Sequence, residues 1–149
     1  MRNRTTLALP SIVLALMAAI ALTVALSASA FAGGRPLSAD LSGVAEIPDA
    51  DPDGSGHVDL WLNAGQEEIC FELTVSGIAT AAAAHIHIGF DDLNGPVVVG
   101  LAAPASGSAS GCVSLAREKI QAILQAPHAF YVNVHNADFP GGAIRGQLG

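Results

Sequence analysis

Basic side chains are scarce in this sequence. Six Lys and Arg stand against thirteen Asp and Glu over 149 residues. Two of the six, Arg2 and Arg4, lie in the first few residues, so residues 33–149 hold Arg35, Arg117, Lys119 and Arg145 against all thirteen acids, a net charge of −9 with neutral histidines. A surface of that sign repels nucleic acid and anionic membrane, and neither is an expected partner. Reaction motifs are missing as well. There is no Gly-x-Ser-x-Gly elbow, no cysteine beside a histidine, and no glycine-rich loop opening a helix to cradle phosphate. Cysteine is limited to Cys70 and Cys112, neither close in sequence to the other or to a histidine, which disfavours a cysteine metal site.

The amino-terminal stretch has the layout of a secretory signal: a short basic start at Met1 to Arg4, an apolar run from Leu7 to Leu26, and small residues before a cleavage site at Ala30 or Ala32. Residues 1–32 are therefore expected to be a signal peptide and residues 33–149 one domain, the mature chain being secreted or periplasmic. The alternative is an uncleaved leader, since the apolar run is long enough to span a bilayer, and a membrane location would follow only in that case. Export makes an even cysteine count read first as a disulfide. Cys70 and Cys112 both occupy the register that faces away from the expected core, so a bridge on one face is the expectation, with two separate thiols as the alternative.

Alternating apolar and polar residues predict a series of short strands. Leu37 to Val44 is the first; Val58, Leu60 and Leu62 point inward on the second, with His57, Asp59 and Trp61 outward; Ile69, Phe71, Leu73 and Val75 point inward on the third. Between the first two, Asp49 to Gly54 spells D-x-D-x-D-G. The glutamate and flanking helices of a helix-flanked calcium loop are missing, for Asp59 and Leu60 stand in that place and a strand follows. A strand bearing His85 and His87, a buried valine-rich strand over Pro96 to Leu101, and a strand over Ser110 to Leu115 come next. Ser114 is placed to cap one short helix over about Leu115 to Ala126 whose stripe is Ala116, Ile120, Ile123 and Leu124. Phe130 to His135 and Ala143 to Leu148 close the chain, the last with Ile144 inward and Arg145 outward. Many short strands and one helix predict an all-β fold, an antiparallel Greek-key β-sandwich of immunoglobulin-like or superoxide-dismutase-like type.

The chemistry concentrates on one face. Side chains alternate along a strand, so His85 and His87 project together, and if Phe130, Val132 and Val134 face the core then Tyr131, Asn133 and His135 lie on the same kind of face. Three imidazoles so placed can hold copper(II) or zinc and leave a position open for water, making a divalent metal ion the first expected partner and copper or zinc the expected cofactor. In the other reading the three histidines are structural, bonded to loop carbonyls, and the chain is a non-catalytic extracellular module for protein or polysaccharide.

Six blocks in order carry a family resemblance: Leu41-Ser42-Gly43 with Glu46-Ile47-Pro48; Leu73-Thr74-Val75-Ser76-Gly77; Ala84-His85-Ile86-His87-Ile88-Gly89; Asn94-Gly95-Pro96-Val97-Val98; Tyr131-Val132-Asn133-Val134-His135; and Pro140 to Leu148. Together they resemble the CHRD domain, named from chordin, an extracellular antagonist of bone morphogenetic proteins, and also present in exported microbial proteins. The resemblance spans nearly all of residues 33–149 and implies an exported β-sandwich. One departure is Ala143, where the family usually has glutamate. Arg145 and Glu46 are the charged residues of the last and first blocks, and a pair between them is the expectation, with an Arg145 solvated on an edge as the alternative. The His-x-His strand and the closing glycine-rich strand are also similar in layout to copper/zinc superoxide dismutases. That activity needs a fourth copper-side histidine and a zinc loop that this spacing lacks, so the reading leans away from an enzyme.

Overall fold

The computed structural model describes residues 33–149. The expected signal peptide, residues 1–32, lies outside the described residues. Eight strands, β1 (Arg35–Ser42), β2 (Ser55–Asn63), β3 (Glu68–Ser76), β4 (Ala81–Ile88), β5 (Val97–Leu101), β6 (Ser108–Ser114), β7 (Phe130–Asn136) and β8 (Ile144–Gln147), and one helix, α1 (Arg117–Gln125), make up the domain. The strands form a single antiparallel sheet in the order β5-β4-β7-β8-β1-β2-β3-β6, and its two edges, β5 and β6, come back into contact. The all-β antiparallel architecture with one short helix is thus as the sequence predicts, with the sheet nearly closed on itself.

The interior of the curl is the core. Val58, Leu60 and Leu62 of β2 face Ile69, Phe71 and Leu73 of β3, while Ile86, Val132 and Ile144 fill the other side. On β2 and β3 the opposite face is wet, and His57, Asp59 and Glu72 lie there half or fully exposed, which is the usual one-sided burial of an antiparallel pair. Cys70 and Cys112 are directly opposed on β3 and β6 and form a disulfide with an S–S distance of 2.04 Å.

Three expectations change. Arg145 does face away from the core, yet it is 1 % exposed. The reason is that β4, β7 and β8 are covered on their outer face too: loop segments 89–96 and 137–143 fold over it, bonded to side chains that rise from these strands, and Glu46 of segment 43–50 is bonded by the Asn133 side chain. Second, β5 is an edge strand and not a buried one; Val97 is 53 % exposed and Gly100 is exposed. Third, Ser114 ends β6 and does not cap α1. The N-cap is Ala116, with no side-chain bond, and the Ala116 carbonyl accepts from the Lys119 and Ile120 N–H groups. Ile120 and Ile123 of the helix are buried in the core, and Leu124 packs against it.

Candidate metal centre

Strands β4 and β7 are hydrogen-bonded neighbours, with His85 opposite Asn133, His87 opposite Tyr131 and His135 opposite Ala83. The methyl of Ala83 leaves the His135 ring room to lean towards β4. As a result His85 Nδ1 and His135 Nε2 are 3.0 Å apart, and each of the three histidines offers one ring nitrogen within 4.8 Å of the others. Zinc–nitrogen bonds of about 2.0–2.1 Å set tetrahedral ligands roughly 3.4 Å apart, so the widest edge of the triad closes on an ion with a shift on the order of 1 Å.

The remaining ring nitrogens settle which lone pairs face inward. His87 Nδ1 lies 2.8 Å from the Gly95 carbonyl and His135 Nδ1 3.0 Å from the Pro140 carbonyl. A carbonyl only accepts, so both Nδ1 atoms carry hydrogen and both Nε2 atoms present lone pairs. His135 Nε2 is then the acceptor in its contact with His85, whose Nδ1 donates. His87 Nε2 is buried and has no hydrogen-bond partner among the described residues. A buried acceptor without a donor costs about 1–3 kcal/mol, and in native proteins such a group generally marks a ligand, water or ion. Carbonyl-anchored imidazoles with inward Nε2 atoms are also how metal-binding histidines are oriented by the groups behind them.

Charge favours the ligating form. Burial lowers the pKa of His85 first, with further lowering by His135 and His87. Burial is likewise the main cause of lowering at His135, opposed by its bond to the Pro140 carbonyl. Neutral rings with free lone pairs are the form that coordinates an ion.

Around the triad sits a polar layer that periodicity alone does not reveal. Tyr131 stacks on His87, ring centroids 4.9 Å apart and planes within 11°, and the Arg145 guanidinium lies 3.6 Å from the centre of the same Tyr131 ring. Tyr131 Oη accepts from the Gly95 N–H at 3.2 Å. Arg145 donates to the carbonyls of Phe90 and Leu93, to Asn94 Oδ1 and to Gln147 Oε1. Gln147 in turn donates to the Gly89 and His128 carbonyls. The period of two places Tyr131 and Arg145 on the histidine face, but the loop carbonyls they meet come from distant segments with no pattern of their own.

The expected Glu46–Arg145 pair takes a different form. Both are buried in this layer, but among the described residues no hydrogen bond or ion pair joins them; Arg145 spends its donors on the loop, and Glu46 Oε1 is left without a partner. Desolvation pushes the Glu46 carboxyl up to about 7, against a lowering by the Arg145 charge, the Ile47 N–H and the Asn133 side chain. The two residues interact through space. His57 and His128 stay outside the centre: His57 pairs with Asp40 at 2.7 Å on the wet face of β2, and His128 lies beside Phe90. Asp49, Asp51 and Asp53 form no converging ligand group among the described residues; instead Asp51 Oδ1 accepts from the Asp53 N–H within the turn.

A family model described as CHRD domain matches residues 37–148. No curated protein and no solved structure matches the chain.

Proposed function

Since this chain belongs to the CHRD domain family, an extracellular family whose setting suits its disulfide, we propose that it is a secreted or periplasmic protein that binds one divalent transition metal, copper or zinc, through His85, His87 and His135. Among the described residues no helix is long and apolar enough to cross a membrane. The observation that carries the reading is the buried Nε2 of His87, without a hydrogen-bond partner among the described residues, in a triad of histidines that each offer one ring nitrogen within 4.8 Å of the others. Imidazole suits both ions, and three ligands leave one position open to water or a small ligand.

Coordination has a proton consequence. His85 Nδ1 donates to His135 Nε2 in the metal-free protein, so an ion that takes both atoms moves the His85 proton to its other nitrogen. The ring flips tautomer and need not lose its proton to solvent.

Calorimetric titration of metal-free protein with zinc or copper(II) tests the proposal. One site per chain is expected, weakening as pH falls below about 6.5 because protonated rings cannot donate. His87→Ala and His135→Ala should each abolish it while His57→Ala leaves it intact. Equal binding by all variants, or none by the wild type, refutes the site. The second reading then takes over: a non-catalytic module for an extracellular protein or polysaccharide, favoured by the bonds of His87 and His135 to loop carbonyls, which structural histidines also make.

A further inference from the structure

We propose that Arg145 is a positioning residue for the imidazole centre: by clamping the 89–95 loop it holds in place the carbonyl that orients His87. The role rests on the metal-binding reading for its purpose, but its geometry stands independently. Arg145 is 1 % exposed, and a guanidinium buried without a bonded carboxylate is expensive. What it gains in that position is one short loop. Its donors reach the Phe90 carbonyl at 3.0 Å, the Leu93 carbonyl at 3.2 Å and Asn94 Oδ1 at 3.3 Å.

The residue next along the chain is Gly95, and both of its backbone groups serve the centre. Its carbonyl accepts from His87 Nδ1 and its N–H donates to Tyr131 Oη, the ring stacked between His87 and Arg145. Asn94 ties the loop on its other side, donating to the Ile47 carbonyl at 2.6 Å. Arg145, Asn94, Gly95 and His87 therefore form one chain of contacts ending on the ring nitrogen opposite the unpartnered Nε2. If the Gly95 carbonyl moves away, the hydrogen on His87 is free to shift to Nε2 and block the lone pair. Lysine cannot replace Arg145, since it lacks the planar fork that serves several carbonyls at once and lies flat on an aromatic ring.

The full chain is tested as wild type, Arg145→Lys and Asn94→Ala, with two readouts. One is zinc affinity by competition with a chromophoric chelator; the other is the tautomer of each histidine ring in the metal-free protein, by 15N NMR. In Arg145→Lys, zinc binding should weaken about tenfold, the low end of what loss of an orienting partner costs. His87 should become a mixture of tautomers while His135, anchored separately on Pro140, keeps hydrogen on Nδ1. Asn94→Ala should show the same two changes in smaller measure. A purely structural Arg145 would lower the melting temperature and leave the tautomer alone, so a folded Arg145→Lys protein with wild-type His87 overturns the proposal. Should Arg145→Lys fail to fold, Asn94→Ala decides on the same readouts. Failure of the wild type to bind zinc removes the metal reading, and the tautomer measurement still decides whether Arg145 orients His87.

Discussion

Glu46 shows how much a single buried group can bend the pH response of this domain. Its carboxyl titrates at about 7 in place of the ordinary 4.5, so between those values the folded chain keeps a proton that the unfolded chain has released. The sign follows: the contribution is fully present below about pH 4.5 and is lost as pH rises through 7, by an amount on the order of 3 kcal/mol. His85 and His135 act the other way. Their lowered values mean that stability is lost as pH falls below about 6.5, where the unfolded rings take up protons first. Urea denaturation of wild type and Glu46→Gln from pH 5 to 8 should separate the two, because the substitution removes only the first effect. The variant should gain on the wild type steadily as pH rises, by up to a few kcal/mol at pH 8; parallel curves would place the Glu46 titration elsewhere. At this scale the sequence was informative about which side chains share a face, because strand geometry allows only two. It was silent on burial. Arg145 reads as an outward cation until the 89–95 loop is laid over it, and nothing in the strand's own residues announces a cover that comes from fifty positions earlier.

Among the elements, the strands with one wet side were legible and those covered on both sides were not. β2 and β3 alternate cleanly and fall where the pattern puts them, whereas β7 is buried from Phe130 through Val134 by core on one side and loops on the other. The valines of β5 were misleading: they suit an edge as well as a core, since β-branched residues favour any extended conformation. The start of α1 was displaced because Ser114 finds its place at the end of β6, where strand pairing outweighs a capping preference. The 89–95 loop is the element on which the centre depends most. A side chain on Gly95 would collide with the Ile88 carbonyl, so Gly95→Ala should drive the loop away from β4, lowering stability by about 2 kcal/mol or more. On the proposed metal-binding reading, zinc affinity should drop with it. Denaturant midpoints and zinc competition on the same sample check both, and a variant of unchanged stability contradicts the close approach of Gly95 to Ile88. At Gly142 the nearest group is the Glu46 carboxylate, the end of a flexible side chain, and it is the φ of +141° that strains any other residue there.

For the molecule as a whole, the disulfide and the curled sheet belong together. Cys70 and Cys112 are 42 positions apart, and chain-entropy reasoning for a loop of that length gives roughly 4 kcal/mol. Cys70→Ser with Cys112→Ser should lower the unfolding free energy by a few kcal/mol, a large part of the roughly 5–15 typical of a domain; a loss below about 1 kcal/mol would mean that the unfolded chain gains little freedom when the link is cut. The link does more than shorten the unfolded chain. It fastens β6, the terminal strand of the sheet, to β3 at the place where the sheet turns back towards β5. An unfastened terminal strand can peel away and leave a row of bare amide groups, the template on which other chains stack into fibrils. Loss of oxidation would therefore bear on the solubility of this protein as well as its stability, and a reducing environment should give thioflavin-positive assemblies, nucleated from the β3 edge, that the oxidised protein does not form.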